Sequence, residues 1–495
     1  MKRRVVSTLL ILLLVIGSTP VQQTCLEPDN PVTSQTGSSE LLSGVPYVWQ
    51  EINGFCAWAS LTSVLNYLDV DLDLYDLFSV TGTGFSFIYI QYNDTLTMFP
   101  GVLYKQVEPT QFVADLYGLN LSVYLSGELA GAEDQAEVWR NQGTSVGLLE
   151  GQSAAFDLMR RAIDSGYPVV ASVDPSWLPT ADYDVLREQG LTGGAHAVVI
   201  VGYDDAEGKA TILDPGVGSF GENRSYPRDG RGNYSEITYT SLNKAWSNRY
   251  YVSMLLKPDQ DDAPSDFADR LGPYVRDRLL GVGSSYDPNS AGAYLFDYGT
   301  KAFSQLADDL TAEGLSEFLG VFSEASNAPE LQSQILRFIG LGLQTQVTLQ
   351  YLSYRQALST LPSFLGQYNL SAFTSFADDA LDNFKALSDN STLIFPGNES
   401  AAEGYVVDVF RSISMELNES GDLEGTLAAF QEDLTNITTH LQGIADSWLA
   451  AGEALADIWP NNPLIIYTPF IIVGIAALVS VILTVYWWSK NRKTG

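Results

Sequence analysis

Thiol chemistry in this 495-residue chain has few places to go, because it contains only two cysteines, Cys25 and Cys56, and two histidines, His196 and His440. Cys56 has the more telling surroundings. The run Gly54-Phe55-Cys56-Ala57-Trp58-Ala59-Ser60 leads into Leu61, Val64, Leu65 and Leu68, apolar positions spaced as on one face of a helix. Cys56 is therefore expected at a helix N-terminus, where unpaired backbone N–H groups and the helix dipole favour thiolate over thiol. Gln50, six residues upstream, could offer a side-chain N–H to an oxyanion. A thiolate next to an imidazole attacks carbonyl carbon, so the partners to look for are a base and a carboxylate that orients it.

His196 and Asp214 fit those roles through the elements that must carry them. Residues around Phe156, Met159 and Ile163 predict a helix ending at Gly166, followed by a buried strand over Pro168–Val173. A second strand starts at Ala195-His196 and runs to Tyr203. The chain turns through Asp204 to Gly208 and returns along Ala210–Leu213 to Asp214-Pro215, a hairpin that brings Asp214 close to His196. A lone histidine at a strand end is more often structural than catalytic. The helix-capping cysteine, the upstream glutamine and the Asp-Pro on the next strand reverse that balance, and the order cysteine, then histidine, suits a papain-like enzyme.

The stretch Gln50–Cys56, then Gly194-Ala195-His196-Ala197-Val198-Val199-Ile200-Val201-Gly202-Tyr203-Asp204 and Leu213-Asp214-Pro215, resembles the bacteriocin-processing (double-glycine type) cysteine peptidases. That resemblance implies Cys56 as nucleophile, His196 as base, Asp214 as orienter and Gln50 as oxyanion donor. Other pieces, Leu77-Phe78 through Gly82–Phe87, Pro168-Val169-Val170 leading to Asp174, Trp177-Leu178-Pro179 and Leu242–Trp246, resemble the N-terminal domain of butirosin biosynthesis protein H, which implies an acyltransferase. Together the resemblances cover about Ser43 to Lys257. Cys56 is followed by Ala57 where the peptidase group commonly has glycine, which departs from a leader-peptide specificity.

The flanks place this domain. Lys2, Arg3 and Arg4 precede an apolar run from Val5 to Gly17, the layout of a secretory signal, assigned to residues 1–24. Leu464–Trp488 is long and apolar enough to span a bilayer, and Lys490, Arg492 and Lys493 after it predict a cytoplasmic tail over 489–495. The part between is expected outside the cell. Sequons at Asn93, Asn120, Asn223, Asn233, Asn369, Asn390, Asn398, Asn418 and Asn436 make it a candidate glycoprotein. With 26 basic against 59 acidic residues, net charge −33, the surface repels phosphate backbones and argues against nucleic acid as a partner.

No disulfide framework is available, and a Cys25–Cys56 bridge is the alternative to a free Cys56 thiol. Asp69, Asp71, Asp73 and Asp76 resemble the start of a calcium loop, but Leu74 and Val80 stand where such a loop needs glycine and glutamate, so a solvated acidic stretch is expected. Gly82-Thr83-Gly84 reads as a turn. No metal or cofactor is implied.

After a polar linker at Pro258–Pro264 the pattern turns helical, and residues 265–460 are expected to form a helical stalk. Asn327, Pro329, Leu331, Ile335, Phe338 and Ile339 mark one helix. Leu423, Leu427, Phe430, Leu434, Ile437, Leu441, Ile444 and Trp448 alternate steps of four and three, a heptad seam seeking a partner helix in the same chain or in a second copy. His440 lies beside it as a surface residue.

The expected fold class is thus α+β: a papain-like domain over 43–257, an all-α domain and one C-terminal transmembrane helix. Three functions stand: a membrane-anchored extracellular hydrolase of a peptide or amide, acting by an acyl-enzyme on Cys56; an acyltransferase using the same residues; and an inactive surface binding or adhesion protein. Location outside the cell favours hydrolysis.

Overall fold

The computed structural model describes residues 38–92, 95–102, 107–141, 143–188, 190, 192, 194–219, 224–259, 266–282, 294–394 and 403–460. The expected signal, Cys25, the membrane span, the tail, most of the 258–264 linker and the sequons at Asn93, Asn223 and Asn398 lie outside these residues. Among the described residues no helix is long and apolar enough to cross a membrane.

Eleven strands are described: β1 (Ser39–Leu41), β2 (Phe87–Tyr92), β3 (Thr95–Val102), β4 (Leu119–Ser126), β5 (Ser145–Leu149), β6 (Val169–Val173), β7 (His196–Asp204), β8 (Lys209–Leu213), β9 (Ser235–Thr238), β10 (Ser253–Pro258) and β11 (Tyr294–Tyr298). The larger sheet runs β5-β4-β10-β6-β7-β8-β9, with β1 also on β7. Its centre is β7, in which His196 through Tyr203 are all buried, as expected of a strand covered on both faces. β6 pairs antiparallel with the first half of β7, from Val173 opposite His196 to Val169 opposite Ile200, and β1 pairs with its end. β8 returns antiparallel on the other side, in the expected hairpin. The helix Gly151–Asp164 precedes β6 and stops before Gly166, whose φ of 84° suits glycine.

The acidic stretch is exposed at Asp69, Asp71 and Asp73, as expected, and its end starts a helix where a strand or loop was expected. Asp73 caps the helix Leu74–Val80, its carboxylate accepting from the N–H groups of Tyr75 (2.7 Å) and Asp76 (2.8 Å), while Asp76 accepts from Asp73 N–H. This is a capping box, with two acidic residues satisfying the helix start.

The second half is not the all-α unit the sequence suggested. β11 pairs antiparallel with β2, from Tyr294 opposite Tyr92 to Tyr298 opposite Ile88, so one short strand after Lys257 completes a sheet begun in the first half. The helix Ala328–Leu365, about 57 Å long at 1.5 Å per residue, then lies against the first half. Ser79 Oγ donates to the carbonyl of Ala357 (2.8 Å), and Gln350 Nε2 to that of Gly84 (2.7 Å). A Cβ at Gly84 would come within 2.3 Å of Ala357 Cβ, so the two backbones approach as closely as glycine allows. One continuous apolar core spans both halves.

The heptad seam is also resolved differently. It breaks at Phe430 into Leu423–Ala429 and Gln431–Ile458, and Leu427, Leu434, Ile437, Leu441, Ile444 and Trp448 are buried. The long C-terminal helix packs on Ser371–Leu387, Gly299–Asp309 and Phe267–Leu280 of its own chain. The helices that cover most of this seam therefore belong to the same chain, one of the two alternatives its pattern left open. His440 is half-buried and its Nδ1 is 3.0 Å from Asn383 Oδ1.

Trp448 anchors this packing, with its ring centroid 5.2 Å from Phe303, 5.3 Å from Tyr354 and 5.7 Å from Phe384. Trp448→Ala is expected to cost about 3–5 kcal/mol, the range for truncating a buried aromatic side chain. The check is the denaturant midpoint, which should fall, whereas an exposed control, Met415→Ala, should leave it nearly unchanged.

Candidate active site

Cys56 opens the helix Cys56–Tyr67, as the apolar spacing predicts. Phe55, just before it, provides no side-chain cap, so the first backbone N–H groups remain for another acceptor. Gly54, at φ 108°, turns the chain into the helix. Cys56 is a free thiol and is half-buried.

His196 begins β7 and Asp214 follows β8. The hairpin register puts Leu213 opposite Val199, so Asp214 falls across from Val198, on the same face as His196. The side chains meet there: His196 Nε2 is 2.8 Å from Asp214 Oδ1. With Nε2 committed to the carboxylate, Nδ1 is the ring nitrogen left for Cys56, with which His196 interacts electrostatically. His196 is 6% exposed and Asp214 1%, so the carboxylate–imidazole contact is shielded from water.

The electrostatics follow from that arrangement. Burial pushes the Cys56 thiol up, but the His196 charge and hydrogen bond, joined by the backbone N–H groups of Ala197 and Ala57, outweigh it and leave the thiol below its ordinary value. Burial alone lowers His196. The charges of Asp214 and Cys56 reverse this and raise it to about 10. A thiolate–imidazolium pair is thus favoured between the lowered pKa of Cys56 and the raised one of His196.

Gln50 joins the group from the preceding segment, which runs alongside the loop after β8. Gln50 N–H donates to Pro215 O (3.1 Å), Tyr47 OH to Asp214 O (2.9 Å) and Trp49 Nε1 to Val217 O (2.9 Å). Gln50 is 1% exposed, and its Nε2 donates to Ser219 Oγ, which in turn donates to Gly216 O. The second hydrogen on Nε2 is left for another acceptor. Of the residues singled out in the sequence, His196 and Asp214 are in direct contact, Cys56 interacts electrostatically with His196, and Gln50 is held by the loop that follows Asp214.

Two residues of the site escaped sequence reading. Tyr183 is fully buried, and its hydroxyl donates to Asp214 at 2.9 Å (Oδ1) and 3.1 Å (Oδ2) while lying 3.2 Å from His196 Nε2. Ser219 holds Gln50. Tyr183 lies on a short helical turn, Ala181–Tyr183, with no periodic pattern to mark it, and Ser219 looks like any loop serine. Gly216 closes the site: its N–H donates to Asp214 Oδ1 (3.0 Å), and a Cβ there would come within 2.7 Å of the His196 ring.

A nucleophile, a charged general acid, an orienting carboxylate and an oxyanion donor are the parts that acyl transfer through a thioester needs. No curated protein matches the chain. Residues 42–247, the segment holding all four groups, match the model of the Peptidase_C39 like family, which supports a papain-type cysteine peptidase domain of that kind.

Proposed function

We propose that this chain is a cysteine hydrolase of peptide or amide bonds, held at the cell surface by the Leu464–Trp488 segment with its described part outside. The observation that carries the catalytic reading is the Cys56–His196–Asp214 relay, with a buried glutamine beside it. The Cys56 thiolate attacks the carbonyl carbon, forming a C–S bond as the carbonyl electrons move to oxygen, where the second Gln50 N–H can meet them. The imidazolium of His196 gives its proton to the departing amine as the C–N bond breaks. The neutral ring then takes a proton from water, which attacks the thioester and releases the acid and Cys56. Asp214 keeps the ring oriented and its charged form stable throughout.

The extracellular reading rests on the signal-like N-terminus, the apolar C-terminal segment and the sequons. Asn120, Asn233, Asn369, Asn390, Asn418 and Asn436 are exposed, which is what an acceptor for a glycan requires. The strongly acidic composition suits a solvated exterior. An acyltransferase would use the same four groups with a different acceptor.

Labelling the full chain in detergent with iodoacetamide across pH 5 to 10 tests the relay. Wild-type Cys56 should react already below the ordinary thiol pKa of about 8.5. His196→Ala should move the onset up to that ordinary value, and equal profiles in the two proteins would remove the catalytic reading.

Hydrolysis should rise with pH as Cys56 ionises and fall only as His196 loses its proton near 10. Asp214→Asn removes the charge that raises His196, so the alkaline limb should move down. Turnover should drop by roughly 10²–10⁴-fold, the range for losing an orienting or proton-transfer group. For location, a chain ending at Pro460 should leave the membrane fraction for the soluble one, and retention with the membrane would count against the C-terminal anchor.

A further inference from the structure

The loop Gln50–Phe55 connects the candidate oxyanion donor to the helix of the candidate nucleophile, and it has an unusual backbone. Glu51, next to Gln50, holds φ at 58°, a left-handed conformation that a residue with a side chain seldom adopts without outside support. Gly54 follows at φ 108°. Both points are gripped from outside the loop. The Glu51 carboxylate accepts the hydroxyl of Tyr75, and a Cβ at Gly54 would come within 2.8 Å of Leu349 Cδ2.

Both grips lead to the same element. Leu349 is a buried residue of the helix Ala328–Leu365. Tyr75 sits on the helix Leu74–Val80, which that long helix fixes: Thr360 Oγ1 donates to the Tyr75 carbonyl (3.3 Å), and Ser79 Oγ is 2.6 Å from Thr360 Oγ1 and donates to the Ala357 carbonyl. Residues of the second half of the chain thus brace both ends of the loop.

We propose that Tyr75 and Leu349 are positioning residues for the proposed reaction. They hold the Glu51–Gly54 backbone so that Gln50 Nε2 faces the oxyanion, which makes the helical half a working part of the enzyme as well as its support. This inference rests on the hydrolase reading above. Tyr75 touches no reacting atom and acts through Glu51 and Gln50.

Two probes separate this role from general stability and from failure of the hydrolase reading. Iodoacetamide alkylates a thiolate by displacement at saturated carbon and needs no oxyanion donor. p-Nitrophenyl acetate does need one: the thiolate adds to its carbonyl, the oxygen takes the electron pair, and collapse expels p-nitrophenolate and leaves acetyl-Cys56. With the full chain in detergent, Tyr75→Phe should leave the alkylation rate and its pH profile unchanged. The p-nitrophenolate burst should slow by about tenfold, less than the 10²–10³ typical of deleting an oxyanion donor outright.

Glu51→Gln keeps a carbonyl acceptor for the Tyr75 hydroxyl and should retain most of the burst rate, while Glu51→Ala should resemble Tyr75→Phe. Added to Gln50→Ala, Tyr75→Phe should slow the burst little further, because the two changes act on one donor. An unchanged burst rate in Tyr75→Phe, or a loss that adds in full to that of Gln50→Ala, overturns the proposal. Loss of His196-dependent alkylation in the wild type would instead point to failure of the hydrolase reading.

Discussion

A thiolate–imidazolium pair half-removed from water gains stability when a further negative charge is held beside the ring. Asp214 is that charge. Left alone, burial would return a proton from His196 to Cys56 and leave two neutral groups, since each charged form loses solvation. The carboxylate reverses the preference for the histidine, and the charged histidine reverses it for the cysteine. Asp214 itself is stabilised by donors on every side: His196 Nε2, the Tyr183 hydroxyl and the Gly216 N–H. Removing a donor would leave a buried carboxylate short of a partner, which is costlier than losing an exposed hydrogen bond.

That requirement explains much of the architecture around it. β7 must be covered on both faces to keep His196 dry, and β6 and β8 must flank it in a register that aims Asp214 at the ring. The loop carrying Tyr183 must then close over the carboxylate. Arg187 helps to set that loop by donating to the carbonyls of Ser176 (3.1 Å) and Leu178 (3.0 Å), and Asp174, fully buried, caps the turn at Ser176 and accepts from Asn248 Nδ2 (2.8 Å). These polar contacts, buried at Asp174 and Ser176 and part-buried at Arg187 and Asn248, fix a loop path where apolar packing alone would allow several.

Local signals made the first half readable. The cysteine helix has an apolar face, β6 and β7 are nearly unbroken apolar runs, and the β7–β8 turn is marked by Asp204, whose carboxylate accepts from the N–H groups of Ala206 (2.9 Å) and Glu207 (3.0 Å), and by Gly208 at φ 63°. Such features are set by residues near one another in the chain. Tyr183 and Ser219 depend on where loops lie in space, and neither has a spacing that declares it. β11 was missed for a related reason. Five residues amid helical sequence become a strand only because β2, some two hundred residues earlier, offers an edge. The seam ending at Trp448 was visible as a pattern, but the pattern does not say which helix covers it.

The shared core changes what the second half means. A stalk joined by a linker would leave the first domain free to move, and its geometry would owe nothing to the helices. Here Gly84 nests on Ala357, Gly54 on Leu349, and β11 on β2. Glu108, at the start of a helix in the first half, accepts from Arg278, whose guanidinium lies 4.8 Å from the Tyr274 ring centroid and 5.2 Å from that of Tyr298. The far end is secured as well. Trp459 gives its carbonyl to the buried Arg276, packs its ring where a Cβ on Gly272 would clash, and lies edge-on to Tyr368 at 4.5 Å. The chain therefore leaves the described fold from a fixed point on that core. Under the membrane anchoring proposed above, packing between helices would set the position of the thiol relative to the bilayer.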